Sequence, residues 1–356
     1  MRAKHGGDWY GFQAKYGRLP LDYSANVSPF PTPKNIRKAI SLASENLTAY
    51  PDPECRLLRR AIAEKEGVPP EWILCGNGAA DLIVRFVLAL KPRRALVTAP
   101  TFSDYQHALS ILSCGIERYV LKEENGFLLQ EDYLSVLSDD IDAAFLCEPN
   151  NPTGALTPMP FLEKAVKRCK DTETVLMVDE CFNNFLNEPN AHTLKFLLED
   201  SPHLVILKAF TKMYALAGVR LGYVICSNRD FLEKMEQAGQ AWSVSTLAQS
   251  AGLAALKEDD YVQKVRRVVQ TQRPFLKAGL QKLGIQVFDG QANYLLLRTP
   301  APLSAGLALH GILIRECANY PGLSNEFYRI AVRTREENER LLSAVEEVMC
   351  QWQNEL

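Results

Sequence analysis

From Trp72 to Cys226, short apolar runs alternate with helical stretches, and this alternation restricts the possible folds more than any other property of the chain. The runs are WILC (72–75), RALVTAP (94–100), IERYVL (116–121), IDAAFLCEP (141–149), TVLMVDE (174–180), LVILKAF (204–210) and RLGYVIC (220–226). Helical patterns at 79–90, 103–112, 159–170 and 194–199 separate several of them. Strands that are apolar on both faces and joined by helices build a mostly parallel sheet with helices on either side. Near position 245 the alternation stops. A long helical region at 247–283 then leads into VFD (287–289), ANYLLLR (292–298), ILIRECA (312–318) and YRIAVRT (328–334), closed by a helix over 335–352. That second pattern is a smaller α+β domain.

The first 35 residues are rich in Gly, Pro and Asn and read as an extended arm with turns, followed by helices at 35–46 and 54–66. The expected organisation is an arm over 1–45 that packs on the small domain, a large domain over 46–245 and the small domain over 246–356. A chain of 356 residues exceeds one compact core, in keeping with two domains.

The net charge of -2, from 40 Lys and Arg against 42 Asp and Glu, favours neither nucleic acid nor an anionic membrane surface. No apolar stretch approaches the roughly 18 residues that cross a bilayer, and MRAKHGGDWYG has no apolar signal region. Nine cysteines are scattered without a C-x-x-C pair, and Cys75, Cys147 and Cys226 fall in strand-like runs. The expectation is a soluble, uncleaved protein of a reducing cytoplasm. The run KEDDYVQKVRR reads as a solvated helix face, and His107, His192, His203 and His310 have no metal-ligand spacing.

Ligands of open α/β sheets lie beyond the carboxyl ends of the strands, and polar residues concentrate there. Gly76-Asn77-Gly78 follows WILC, Thr101-Phe102 follows RALVTAP, and Asn150-Asn151-Pro152-Thr153-Gly154 follows IDAAFLCEP. Asp179 ends TVLMVD, and Lys212 follows LVILKAF. Taken singly, each has a plainer reading: a loop, a turn, a helix cap or a surface lysine. Five at successive strand ends exceed what loop chemistry accounts for. A lysine shielded from water loses ammonium solvation and becomes a usable amine nucleophile toward carbonyls. Arg220, eight residues on, offers a planar fork of donors suited to phosphate. An amine and a phosphate clamp together suit pyridoxal 5'-phosphate.

In this order, GNG, NNPTG, VDE, TK and GVRLGY resemble the fold-type I pyridoxal-phosphate enzymes of the aspartate aminotransferase superfamily. The resemblance implies Lys212 as the Schiff-base lysine and Asp179 as the carboxylate facing the pyridine nitrogen. An ion pair at ~4 Å with an effective dielectric of ~20 is worth about 4 kcal/mol, or roughly three pKa units, enough to keep that nitrogen protonated. It further implies Asn151 as donor to the phenolic oxygen and Phe102 stacked on the ring. Gly78 and Ala79 would offer amides at a helix N-terminus to the cofactor phosphate, with Thr211 and Arg220 beside them. Tyr50, in YPDP, would reach the phosphate in the neighbouring subunit, implying a homodimer with shared active sites.

HGGDWYG (5–11), DYSANVSPF (22–30), ILIRECANYPGL (312–323) and YRIAVRTREENERLL (328–342) are similar to the threonine-phosphate decarboxylases of that superfamily. This implies decarboxylation of L-threonine O-3-phosphate to aminopropanol phosphate for the cobalamin nucleotide loop. Arg329 would then bind the substrate carboxylate, and Arg315, His5 and Asn26 would gather at the substrate phosphate. Without the resemblance, His5 reads as a tail histidine and Arg315 as a salt-bridged strand residue. Several positions depart from the expected pattern: Ala209 and Ala80 stand where relatives carry hydroxyl residues and Ser245 where an asparagine is expected, while Phe182 replaces the tyrosine of aminotransferases, as in the decarboxylases. The rival activities are histidinol-phosphate transamination and decarboxylation of serine phosphate. A non-catalytic sensor domain of a transcription regulator is a further rival, disfavoured by the retained Lys212 and the lack of a basic DNA-binding module.

Overall fold

A computed structural model describes residues 5–354. The arm does not stay extended throughout: an eight-residue helix, α1 (Trp9–Tyr16), forms inside it. Asp8 caps it by accepting from the Gly11 N–H, and Gly17 closes it at φ 69°. These are ordinary start and stop signals, which the surrounding glycines and prolines obscure. The arm continues as β1 (Leu21–Asp22), and the helices α2 (Lys34–Ala43) and α3 (Arg56–Glu66) follow.

All seven apolar runs form strands: β2 (Ile73–Gly76), β3 (Arg94–Ala99), β4 (Gly115–Val120), β5 (Ala143–Cys147), β6 (Val175–Asp179), β7 (Leu204–Ala209) and β8 (Gly222–Ile225). They make one sheet in the order β2-β8-β7-β6-β5-β3-β4, in which β8 alone runs against the rest. Every residue of β2, β5 and β8 is buried, as expected of strands covered on both faces. The covering helices include α4 (Ala79–Leu90), α5 (Ser103–Ser110), α6 (Tyr133–Val136), α7 (Met159–Asp171) and α8 (Arg229–Gln237).

The helix expected over 194–199 is absent, replaced by short 3-10 turns at Pro189–His192 and Lys195–Leu197. The cause lies next to the site. The Leu194 N–H and the Thr193 hydroxyl donate to the buried Glu180 carboxylate, at 2.9 and 2.7 Å. That pull diverts the backbone from a regular helical ladder.

The chain then runs through α9 (Thr246–Ala255) and α10 (Asp259–Lys282) to β9 (Gln286–Val287) and β10 (Tyr294–Arg298). Next come α11 (Leu303–Leu309), β11 (Ile312–Leu313), β12 (Arg315–Glu316), β13 (Phe327–Ala331) and α12 (Arg335–Asn354). ILIRECA is therefore two short strands with different partners. β11 pairs in parallel with β1, whereas β12 joins an antiparallel sheet ordered β12-β13-β10-β9.

One core fills the large sheet and its helices; a second holds Tyr23, Leu295, Leu297, Ile330, Leu341 and Val345. They change over within α10, whose Val262, Val265 and Val269 serve the first core and whose Leu276 and Leu280 serve the second. Among the described residues no helix is long and apolar enough to cross a membrane.

Candidate active site

The carboxyl ends of β2, β5, β6 and β7 converge on one cavity of about 100 Å³. Ala79, Ala80, Phe102, Asp104, Asn151, Asp179, Cys181, Thr211, Lys212 and Arg220 line it. Parallel pairing of β6 with β7 sets Asp179 opposite Leu207, so the chain beyond Ala209 brings Lys212 over the same strand ends. Burial holds the Lys212 ammonium below the ordinary lysine range; Arg329 and Arg220 push the same way, while Cys181 and Asp179 oppose.

Asp179 is 3% exposed. It accepts from the Tyr105 hydroxyl at 2.7 Å and from the Cys181 N–H at 2.9 Å. Burial nevertheless raises its pKa above the ordinary carboxylate range, against those two hydrogen bonds and the Lys212 charge. A cationic ring N–H placed against it would offset that cost, because an opposite charge favours the ionised form.

Gly78 has φ 82° and precedes α4 as its N-cap. A Cβ there would lie 2.5 Å from Arg220 Nη2, so only glycine lets the guanidinium sit against the helix start. The first amides of a helix have no intrahelical acceptor. Together with Arg220 and the Thr211 hydroxyl they form an anion cradle at the cavity wall.

Arg329, on β13, is buried. One Nη1–H donates to Asn151 Oδ1, and Nη2 donates to the Ser24 carbonyl at 2.7 Å. Its guanidinium carbon lies 5.5 Å from the Tyr294 ring centre, and the Tyr294 hydroxyl donates to the Asn150 carbonyl at 2.8 Å. Asn26 is also buried: its backbone carbonyl accepts from Asn293 Nδ2 at 3.2 Å, while its own Oδ1 has no donor among the described residues.

Arg315 lines an adjoining groove that shares Phe102 with the cavity. Its fork donates to the Glu316 carbonyl and to Asn319 Oδ1, each at 2.7 Å. His5 is exposed at the rim, with Nε2 3.2 Å from Asp104 Oδ1 and its ring 6.1 Å from Phe102. Tyr50 lies outside the cavity. It is 77% exposed and stacks on Trp242 with 4.5 Å between ring centres.

Sequence reasoning missed Tyr105, Tyr294, Cys181 and Ser24. Tyr105 lies three residues beyond Phe102, in the first turn of α5, with the two rings 5.6 Å apart, and Cys181 lies two residues beyond Asp179, so both signals were available. Tyr294 and Ser24 depend on tertiary placement. Ser245, which departs from the expected asparagine, acts locally, where its side chain caps α9 by accepting from the Ala248 N–H at 3.1 Å.

Just before the Asn150-Asn151 loop, Glu148 accepts from Thr157 through its N–H at 2.9 Å and its hydroxyl at 2.6 Å. Burial pushes its pKa up to about 7, with Thr157 opposing. The folded state then holds this proton more tightly than the unfolded state, where a glutamate titrates near ~4.3. Its contribution to stability is therefore greatest below ~4.3 and is lost as pH rises through about 7, by at most about 4 kcal/mol. Glu148→Gln keeps an acceptor for the amide and a donor for the hydroxyl, so it should flatten this slope in urea melts between pH 5 and 8. A slope unchanged from wild type would remove Glu148 as its source.

Residues 20–345 match the family aminotransferase class I and II. The chain is 38% identical to the threonine-phosphate decarboxylase of Salmonella typhimurium, across 98% of this chain and 97% of that protein. It is 30% identical to the histidinol-phosphate aminotransferase of Methanothermobacter thermautotrophicus, across 92% and 89% respectively. Among solved structures, the histidinol-phosphate aminotransferase of Clostridium acetobutylicum superposes with a TM-score of 0.86 at 27% identity, over 92% of this chain and 99% of that one.

Proposed function

The chain belongs to the aminotransferase class I and II family, and we propose that it is a pyridoxal-phosphate-dependent decarboxylase of L-threonine O-3-phosphate, releasing CO2 and aminopropanol phosphate for the cobalamin nucleotide loop. The observation that carries the reading is one cavity uniting a depressed-pKa amine, a buried carboxylate short of a cation and an anion cradle, with the buried Arg329 guanidinium donating to Asn151 on its wall. These groups fit the cofactor. Lys212 and Asp179 would hold its carbonyl and ring-nitrogen ends, Ala79, Thr211 and Arg220 its phosphate, and Phe102 and Asn151 its ring. When bound, pyridoxal phosphate supplies an electrophilic carbon and an electron-withdrawing ring.

The protein's part is positioning and charge. Lys212 Nζ is the mobile base and nucleophile of the cavity. The Asp179 carboxylate, steadied by Tyr105 and Cys181, keeps a negative charge at the end of β6. Arg329 takes the substrate carboxylate, and Arg315, His5 and Asn26 take its phosphate. In the net reaction the Cα–carboxylate bond breaks, CO2 leaves and a proton takes its place at Cα. The higher identity to the decarboxylase than to the aminotransferase supports this choice.

A homodimer belongs to the same reading. Leu42, Leu47, Tyr50, Leu57 and Trp242 are all exposed apolar residues, a concentration that suits an interface. Tyr50 would contact the partner's cofactor from there. The nine free thiols, seven of them buried, support a cytoplasmic setting.

The test is incubation of the protein, loaded with pyridoxal phosphate, with threonine phosphate, while CO2 and the amine are followed. Sedimentation of the same sample should give a dimer. Transfer of the amino group from histidinol phosphate to 2-oxoglutarate, forming glutamate without CO2 release, would replace the reading with the aminotransferase.

A further inference from the structure

Ser24 stands between the N-terminal segment 5–9 and Arg329. Its carbonyl accepts from Arg329 Nη2 at 2.7 Å, and its hydroxyl accepts from the Gly7 N–H at 2.7 Å. Asp22 holds Ser24 in place: Oδ1 accepts from the Ser24 N–H at 2.7 Å and from its hydroxyl at 2.6 Å. The other carboxylate oxygen, Oδ2, accepts from Trp9 Nε1 at 2.7 Å. One buried carboxylate therefore fastens Trp9 directly, and Gly7 through Ser24, to the loop that carries the Arg329 acceptor.

The fit against this loop leaves no slack. A Cβ on Gly6 would lie 2.1 Å from the Ser24 carbonyl oxygen, the same atom that holds Arg329. Just before Gly6, His5 Nε2 is 3.2 Å from Asp104 Oδ1, and Asp104 lines the Lys212 cavity. The segment runs from the cavity rim to the arginine support without a free joint.

We infer that residues 5–9 form a strap, pinned by Asp22 and Ser24, that sets the position of Arg329, with Asp22 and Gly6 as positioning residues for the bound carboxylate. The inference rests on the decarboxylase reading for its kinetic consequence, but the strap itself is independent of the reaction. Displacing the strap moves the Ser24 carbonyl, and Arg329 loses the acceptor that aims its fork. The cofactor groups at the ends of β6 and β7 are untouched.

The test uses the full chain loaded with pyridoxal phosphate. Gly6→Ala should raise KM for threonine phosphate about tenfold, with kcat changed less than about twofold. The cofactor absorbance should stay at wild type. Trp9→Phe deletes only the indole hydrogen bond and should raise KM in the same direction by about threefold. Asp22→Asn keeps the acceptor for Ser24 but turns the indole's acceptor into a donor, so it should match Trp9→Phe. Amide exchange at residues 6–9 should quicken in all three, a readout that needs no turnover. Wild-type exchange in Gly6→Ala would overturn the strap. Faster exchange with an unaltered KM would overturn its link to Arg329. An enzyme with no decarboxylase activity but with the predicted exchange would reject the reaction and leave the strap standing.

Discussion

Lys212→Ala should abolish turnover, with kcat lower by at least about 1,000-fold, the scale seen when a covalent nucleophile is removed. At pH 7.5 an ordinary lysine is free base in only about one molecule in a thousand. Burial in the cavity, with Arg329 and Arg220 nearby, moves Lys212 toward the free amine. The same environment makes the ammonium form costly to the fold, so its removal should leave the melting temperature close to wild type. The chemical signature is direct. Borohydride reduction with added pyridoxal phosphate should leave a stable adduct on the wild-type peptide that contains Lys212, and none on the variant. The visible absorbance should disappear as well. Retained turnover in Lys212→Ala would reject the assignment of the amine.

How far the sequence alone reaches depends on which contacts define a feature. Six of the seven strands of the large sheet were legible because each is a largely apolar run buried on both faces, whereas the edge strand β4 has no buried residue and is recognised by its place in the alternation. The cavity residues Asp179, Asn151, Phe102 and Lys212 were legible because each follows such a run. Legibility fails where a local pattern is overruled from a distance. Residues 194–199 carry a helical pattern, but Glu180 captures the Leu194 amide and the Thr193 hydroxyl across the fold. ILIRECA reads as one strand, yet β1 claims its first half and β13 its second. The support of Arg329 was hidden for the same reason: Ser24 is 305 residues away in sequence. The helix α1 is a different case, since its caps at Asp8 and Gly17 were visible and only the glycine-rich setting argued against it.

Arg329→Ala should lower kcat/KM for threonine phosphate by about 100- to 1,000-fold, the cost of truncating one member of a buried, hydrogen-bonded charge pair. The expectation follows from a count of donors. A guanidinium has five N–H groups, of which Asn151 Oδ1 takes one and the Ser24 carbonyl another. That leaves three, among them the buried Nε–H, which has no acceptor among the described residues. A carboxylate accepting two of them side by side would complete the fork, a geometry Arg provides and Lys does not. The Tyr294 ring lies 5.5 Å from the guanidinium carbon and holds its plane, and the guanidinium's own charge favours an anion there. Removal strands Asn151 Oδ1 and the Ser24 carbonyl as well, each worth about 1–3 kcal/mol if left unsatisfied. Stability should therefore fall along with activity. The two effects separate in the data: the cofactor adduct at Lys212 should still form, while KM rises and kcat falls only modestly. Arg329→Lys retains the charge and loses the fork, so it should recover little. If Arg329→Ala left kcat/KM unaltered, the substrate carboxylate would have to bind elsewhere in the cavity.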